Sequence, residues 1–487
     1  QEGGERERER FLLSGIPESG IYKGTERKKN QRENMVVLRI MLVMTVGVLV
    51  VMGQEGSHSS PVEVHISLSG VPGEIFVTWV SWVAPGEAAV VVDGLGTTAA
   101  SCESYEVVTG WPGHVCSALV AGLAPGARLS YKVRSGGVES RAYELLVPAY
   151  PPAGDAFSVA FFGDMDYGTE SDGTLSLLTA RRAEYEFAVH MGDIGYTSLS
   201  GSRIGVNATR LDLFFEKIVP FASARPYLVA PGNQEYFYKF WEYEHRWQSP
   251  VQGNLYYSFD YGGCHFVAIS TEHDLTEGSA QYQWLEADLA RATGANFVVV
   301  YGHRPMYCSN SPLDSGWFAD CYLTGPALRR SLEPLLRQYG VDLYLAGHMH
   351  DAEVTYPVRN GAVRQTSWKQ PPANSITQVV AGYAGNREGF NGFNANFTPD
   401  WSAWRQADRN GYLVLTVVNA SRLHLEFLGA PSGDVLFELD YDRTPAGTEG
   451  AGTGAGEEEG EDAAPFFPPA GTTALAGSMG AWLGVAE

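Results

Sequence analysis

Short apolar runs separated by polar loops dominate the central part of the chain. Runs of this kind predict strands that are buried in the core of a sheet. The runs cover residues 158–162, 187–189, 227–229, 297–301 and 341–346. Helical segments, such as 280–292 and 326–339, lie between them. Strands that alternate with helices predict an α/β domain, placed at 155–442, with a four-layer αββα sandwich as its expected architecture.

Residues 61–148 follow a different pattern, in which apolar and polar positions alternate. The alternation is clearest at Val62, Val64, Ile66 and Leu68, and again at Ile75, Val77 and Trp79. Glycine and proline mark turns between these segments, so the region is predicted to be an all-β sandwich domain. A proline-rich linker at 149–154 separates it from the α/β domain.

Each apolar run of the α/β domain is followed by a loop with potential metal ligands. The loops are FFGDMDYG, HMGDIGY, APGNQE, VVVYGHRP and LAGHMH. The candidate ligands in them are Asp164, Asp193, Tyr196, Asn233, His303, His348 and His350. Because loops at the carboxyl ends of core strands converge, these side chains are expected to meet at one place.

The types of side chain indicate a two-metal hydrolase. Two neighbouring ions need a carboxylate between them, further oxygen ligands and imidazoles, and the loops supply all three. Each motif alone has a plainer interpretation. Gly-Asp after a strand is usually a turn, as is a GNxE loop, and GHxH can be a pair of surface histidines. Five motifs together, each at a strand end, favour the metal centre.

At these residues the chain resembles the metallophosphoesterases, and more closely the purple acid phosphatases, whose pattern is roughly DxG, GDxxY, GNH[DE], VxxH and GHxH. The resemblance implies that Fe³⁺ is held by Asp164, Tyr196 and His350. It implies that a divalent ion (Zn²⁺, Fe²⁺ or Mn²⁺) is held by Asn233, His303 and His348, with Asp193 as the bridge. It also implies that 61–148 is a fibronectin type III-like domain and that 155–442 is a metallophosphoesterase domain.

The expected activity is that of an acid phosphatase, in which a metal-bound hydroxide attacks a small phosphate monoester. A phosphodiesterase or nucleotide pyrophosphatase could use the same site. A secreted metal- or phosphate-binding protein without catalysis is the alternative from a different class.

Two positions depart from the family pattern. Asp166 replaces the glycine of DxG, and Gln234 replaces the histidine of GNH[DE]. The resemblance implies that Gln234 occupies a substrate-contact position, where it can donate a hydrogen bond but cannot carry a proton. Asp166 could be a further metal ligand, could bond to a metal-bound water, or could point to solvent. We interpret both changes as altered rate or specificity.

The termini predict processing and export. Residues 1–34 precede the first methionine and are interpreted as a non-native upstream extension, and 35–53 resemble a signal peptide. An uncleaved anchor is the alternative for 35–53, and no membrane span is expected after cleavage. The stretch 443–487 is a low-complexity acidic tail. The predicted location is extracellular or vacuolar. The net charge of −22 argues against a nucleic-acid partner.

The five cysteines agree with an oxidising compartment. The predicted disulfides are Cys102–Cys116 and Cys308–Cys321, which leaves Cys264 free. Glycosylation sequons begin at Asn207, Asn396 and Asn419.

Overall fold

The structure is a computed structural model. It describes residues 60–105, 111–197, 208–236, 238–250, 253, 255–310, 320–393 and 398–443. The predicted upstream extension, the predicted signal peptide, the tail beyond Arg443 and the sequons at Asn207 and Asn396 lie outside the described residues.

The amino-terminal part consists of antiparallel strands. They are β1 (Val62–Leu68), β2 (Ile75–Ser81), β3 (Ala89–Val92), β4 (Gly96–Ala99), β5 (Ser101–Glu103), β6 (His114–Val120), β7 (Arg128–Ser135), β8 (Val138–Glu139) and β9 (Tyr143–Leu146). One sheet has the order β1-β2-β6-β5, and the other has the order β4-β3-β7-β8, with β9 also paired to β7. The alternating apolar residues of both sheets meet in one core around Trp79, Val90 and Tyr131. The all-β prediction for this region is therefore confirmed, whereas its assignment to the fibronectin type III class stays a prediction.

The second part begins at Phe157. Its strands are β10 (Phe157–Phe162), β11 (Met165–Asp166), β12 (Phe187–Met191), β13 (Ile194–Gly195), β14 (Tyr227–Ala230), β15 (Tyr257–Tyr261), β16 (Cys264–Ala268), β17 (Phe297–Tyr301), β18 (Leu343–Ala346), β19 (Ala352–Thr355), β20 (Val358–Arg359), β21 (Ala362–Val363), β22 (Thr377–Ala381), β23 (Ser402–Gln406), β24 (Gly411–Asn419), β25 (Arg422–Gly429) and β26 (Asp434–Asp442). Its α-helices are α1 (Asp172–Ala180), α2 (Ala208–Ala222), α3 (Asn233–Tyr236), α4 (Trp241–Arg246), α5 (Ala280–Arg291) and α6 (Gly325–Gln338).

Two large sheets organise this part. One has the order β14-β12-β10-β24-β25-β26, and the other has the order β15-β16-β17-β18-β22-β19-β23. In the first, β10, β12 and β14 run parallel. In the second, β16, β17, β18 and β22 run parallel.

Side chains of successive residues on the parallel strands point into different cores. Val159 and Phe161 of β10 contribute to a core shared by both sheets. Ala160 and Phe162 contribute to a second core, together with residues of α1 and α2. A third core joins α5 and α6 to the outer face of the other sheet. Helices therefore cover the outer face of each sheet, and the predicted αββα order is observed.

The two parts of the chain meet through a buried ion cluster. Arg246 at the end of α4 is 1% exposed and pairs with Glu63 of β1 and with Asp212 of α2. Its guanidinium also stacks on Trp111 and Phe215, with 4.6 and 4.5 Å to the ring centroids. Residues of both parts belong to one compact unit that extends to Pro445.

Both predicted disulfides form, Cys102–Cys116 and Cys308–Cys321, and Cys264 is free and buried. Within the described ranges, none of the helices has the length and apolar character that a bilayer crossing requires.

Candidate metal centre

The predicted ligands all follow the carboxyl ends of parallel strands. Asp164 follows β10, Asp193 and Tyr196 follow β12, and Asn233 follows β14. His303 follows β17 in the facing sheet, and His348 and His350 follow β18. Because the strands of the two sheets end at the same edge, the loops from both sheets meet there, as the sequence predicted.

The backbone at this edge is unusual. Asp164, Asp193, Tyr196 and His348 have positive φ values of 65°, 55°, 51° and 69°. Non-glycine residues in this left-handed region cost about 1–3 kcal/mol each, and such residues concentrate at functional sites. Four of them among seven candidate ligands indicate that the fold holds these side chains in place against local preference.

Glycines next to the ligands allow close approach. A Cβ at Gly232 would lie 2.4 Å from Asp193 Oδ1, and one at Gly347 would lie 2.6 Å from Asp164 Oδ2. Both contacts are too short for a side chain. The glycines of the GNQE and GHMH motifs are therefore required by packing against the carboxylates.

Asp164, Tyr196 and His350 form the first group. The Tyr196 hydroxyl donates to Asp164 Oδ1 over 3.1 Å and lies 2.8 Å from His350 Nε2. His350 Nε2 lies 3.5 Å from the same Asp164 oxygen. All three side chains are buried. The structure therefore brings together the three side chains that the family resemblance assigns to one ion.

Asn233, His303 and His348 form the second group, together with Asp193. His303 Nε2 lies 3.0 Å from Asn233 Oδ1, 3.1 Å from His348 Nδ1 and 3.2 Å from Asp193 Oδ1. A ring nitrogen has one hydrogen or one lone pair and cannot bond to all three. Oxygen and nitrogen atoms that converge in this way are suitable ligands for a divalent cation bound among them.

The remaining ring nitrogens support this interpretation. His303 Nδ1 lies 2.9 Å from the Met191 carbonyl, and His350 Nδ1 lies 2.9 Å from the Gly389 carbonyl. A carbonyl accepts a hydrogen bond only, so each Nδ1 carries a proton, and Nε2 is the ring nitrogen that each histidine turns towards the centre. Metal-binding histidines are commonly oriented by such bonds.

Opposite charges at the centre shift each other's pKa values. Burial opposes the charged forms of Asp193 and His303, but their attraction prevails, lowering the pKa of Asp193 to about 2 and raising the pKa of His303 to about 10. Burial, reinforced by Asp164 and Asp193, raises the pKa of the Tyr196 phenol well above its usual value. The neutral phenol is the form that donates the hydrogen bond to Asp164.

Gln234 and Glu235 anchor the Asp193 loop. The Gln234 N–H donates to Asp193 Oδ1 over 2.8 Å. Glu235 Oε2 accepts from the N–H groups of Asp193 and Gly232, at 2.9 and 2.7 Å, and its Oε1 accepts from Ile194 at 3.0 Å. Gln234 as a residue is 7% exposed.

Asp166 does not point to solvent, so that alternative is wrong. Its side chain is 1% exposed, and both of its oxygens accept from the Arg387 guanidinium at 2.6 Å. The pair engages both carboxylate oxygens, which speaks against a direct ligand role as well.

The comparisons with known proteins agree with this geometry. A calcineurin-like phosphoesterase model matches residues 157–352, and an iron/zinc purple acid phosphatase-like protein C model matches residues 375–438. Acid phosphatase type 7 of Homo sapiens is 30% identical over 418 residues, which cover 80% of this chain and 91% of that protein. The chain belongs to the purple acid phosphatases.

A second relative and a solved structure agree with this family assignment. Acid phosphatase type 7 of Danio rerio is 33% identical over 405 residues, covering 76% of this chain and 88% of that protein. The structure of purple acid phosphatase PPD1 from yellow lupin (Lupinus luteus) seeds shares the fold, with a TM-score of 0.68 and 23% identity over 79% of this chain and 75% of that one. The relatives named acid phosphatase identify the chain as a phosphatase, and the family implies a binuclear metal site.

Several residues around the centre of this purple acid phosphatase were not predicted from the sequence. Arg304 Nη1 lies 3.0 Å from His348 Nε2, and the same guanidinium forms a two-bond pair with Glu272. Asn391 Oδ1 accepts from the His350 N–H at 2.5 Å. Arg304 directly follows the predicted ligand His303 in its motif, which was an available clue. Nothing in the local sequence identifies Asn391.

Proposed function

We propose that this protein is a secreted acid phosphatase that hydrolyses small phosphate monoesters at a dinuclear centre. Fe³⁺ is assigned to Asp164, Tyr196 and His350, and a Zn²⁺, Fe²⁺ or Mn²⁺ ion to Asn233, His303 and His348. Asp193 is assigned as the bridge. The observation that carries the proposal is that three potential ligand atoms converge on His303 Nε2, beside the cluster of Asp164, Tyr196 and His350. The three atoms are Asn233 Oδ1, His348 Nδ1 and Asp193 Oδ1.

When bound, the ions would lower the pKa of a coordinated water, neutralise charge on the phosphoryl group and orient an in-line attack. The protein's own contribution is to fix the ligands. The Gln234 N–H holds Asp193 Oδ1, and Glu235 holds the backbone of the same loop. Arg304, which is paired with Glu272, contacts His348 Nε2 and helps to hold that ring in place.

The proposed export rests on two observations. The signal-like residues 35–53 stand before the β-domain. The two disulfides suit an oxidising compartment, because cytosolic proteins rarely keep them. The acidic net charge of −22 makes nucleic acid an unsuitable partner and leaves substrate attraction to the local positive charge of the centre.

The first experiment is to express the protein from Met35 in a secretory host and to measure turnover, metal content and the visible spectrum. Turnover would be followed from about pH 4 to about pH 8, the range in which acidic and basic catalytic groups titrate. The substrates would be an aryl phosphate monoester and the matching bis-aryl diester.

The proposal expects monoester turnover well above diester turnover, with iron, a second metal and a visible charge-transfer band. Preferential diester turnover would favour the phosphodiesterase alternative. Two bound metals without any turnover would favour the non-catalytic alternative. Folded protein that binds no metal would refute the proposal.

A further inference from the structure

A two-bond ion pair joins two segments that are far apart in the sequence. Asp166 Oδ2 accepts from Arg387 Nε at 2.6 Å and from the Arg387 N–H at 3.1 Å, and its Oδ1 accepts from Nη2 at 2.6 Å. The guanidinium lies 4.5 Å above the Tyr167 ring. Fork-like pairs of this kind fix direction as well as distance.

Further bonds fasten the same two segments. The Asp166 N–H donates to the Gly385 carbonyl over 2.9 Å, and Asn386 Nδ2 donates to the Asp164 carbonyl over 3.3 Å. Asn386 Oδ1 accepts from the N–H of Glu388 at 3.0 Å. The segment 385–391 is therefore attached to the loop that carries Asp164.

The far end of that segment holds His350. The Gly389 carbonyl accepts from His350 Nδ1 at 2.9 Å, and Asn391 Oδ1 accepts from the His350 N–H at 2.5 Å. Both the rotation of the ring and the position of its backbone thus depend on the 385–391 segment. None of these contacts touches Asn233 or His303.

We propose that Asp166 and Arg387 are positioning residues that set the orientation of His350 through the 385–391 segment and so govern occupancy of the iron position. This inference rests on the proposed function, because it takes His350 as an iron ligand. Asp166, the carboxylate that replaces the family glycine, then adds a fixed contact between the Asp164 loop and the 385–391 segment.

The pair is placed to have this effect. Exposed ion pairs contribute little to stability, but Asp166 is buried and would be left as an uncompensated charge without Arg387. Removal of a group that orients a metal ligand commonly lowers metal affinity by about 10- to 100-fold. The predicted loss falls on iron, since the second group of ligands is fixed by the Met191 carbonyl and the Glu235 loop.

The test compares Asp166→Ala, Arg387→Gln, the double variant and Arg387→Lys with the unaltered protein. Arg422→Gln is the matched control, because Arg422 forms a similar pair with Asp442 at the exposed end of β25. Iron and the divalent metal per chain are measured after dialysis against a graded series of chelator concentrations. The ferric-tyrosinate band and the melting temperature are recorded on the same samples.

We expect iron to be lost at about 10- to 100-fold lower chelator concentration in both single variants, with the divalent metal retained and the band weakened or shifted. The double variant should be no worse than the singles, Arg387→Lys should fall between, and Arg422→Gln should match the unaltered protein. Equal loss of both metals, or a lower melting temperature with unchanged iron retention, would overturn the inference. Lack of iron in the unaltered protein would instead refute the proposed function.

Discussion

At the scale of single residues, position 234 separates a backbone role from a side-chain role. The bond to Asp193 comes from the Gln234 N–H, so any residue except proline can make it. A family histidine here could also donate a proton, whereas glutamine can only donate a neutral hydrogen bond. The change from the family pattern therefore leaves the support of Asp193 intact and alters only the chemistry of the side chain.

Gln234→His should consequently be tolerated and should raise activity. We expect kcat on an aryl phosphate to increase by up to about 100-fold, the lower end of the range for a general acid. The increase should be concentrated at acidic pH, where an imidazole with an ordinary pKa of about 6.5 is protonated. Gln234→Asn, which keeps an amide, is the control. An unchanged kcat throughout the pH profile would contradict a proton-transfer role at this position.

At the scale of elements, the candidate ligands are held in place by close contacts between the loops that follow the strands. The loop after β18 places Gly347 against the carboxylate of Asp164, and the His348 N–H then donates to Asp164 Oδ2 over 2.7 Å. This bond connects a loop of one sheet to a loop of the other. The spacing of the two groups of ligands therefore depends on how closely β10 and β18 end together.

Gly347→Ala tests that dependence. The added Cβ would lie 2.6 Å from Asp164 Oδ2 and 2.9 Å from the Met191 carbonyl, both too close. We expect a loss of stability of about 1–3 kcal/mol, typical of overpacking, together with reduced metal content and turnover. Gly294→Ala is the control, since a Cβ there meets no atom within 4 Å. If the two variants retained metal equally well, close packing at Gly347 would not control the centre.

Elements were also the scale at which the sequence was most informative. The apolar runs predicted β10, β12, β14, β17 and β18 to within two residues at either end, because burial on both faces leaves an unbroken apolar pattern. The candidate ligands could be predicted because their motifs lie directly after the ends of those strands. The Asp166–Arg387 pair could not be predicted, since its partners are 221 residues apart and nothing local couples them. For the same reason Asp166 was compatible with solvent exposure until the fold was known.

At the scale of the whole molecule, the amino-terminal β-sheet part and the second part, which carries the candidate metal centre, meet at a buried cluster of charged residues. Glu63, Asp212 and Glu242 surround the single guanidinium of Arg246. The Tyr105 hydroxyl donates to Glu242 and accepts from Arg246, and Glu216 accepts from the Glu63 N–H at 2.7 Å. Carboxylates outnumber cations here. Because α4 follows shortly after Asn233 in the chain, the junction also supports the element next to the centre.

Arg246→Met should therefore destabilise the protein strongly. Removing one partner of a buried ion pair typically costs about 3–5 kcal/mol, because the remaining charges are uncompensated. Arg128→Met is the control, since Arg128 pairs with Glu144 at an exposed position and its loss should cost at most about 1 kcal/mol. Melting temperature and denaturant midpoint would be measured for both.

The cost of Arg246→Met should also depend on pH, with a sign fixed by the carboxyl groups. Burial raises the pKa of Glu63 and of Glu242 even though Arg246 opposes the shift, so both would rise further without the arginine. A carboxyl group with a raised folded pKa binds protons more tightly in the folded state, so its contribution to stability is lost as pH rises through that pKa. The destabilisation should be smallest near pH 4.5, the ordinary glutamate value, and should grow towards neutrality. If the loss of stability in Arg246→Met did not change with pH, the arginine would act by packing on Trp111 and Phe215 and not as the counter-ion of Glu63 and Glu242.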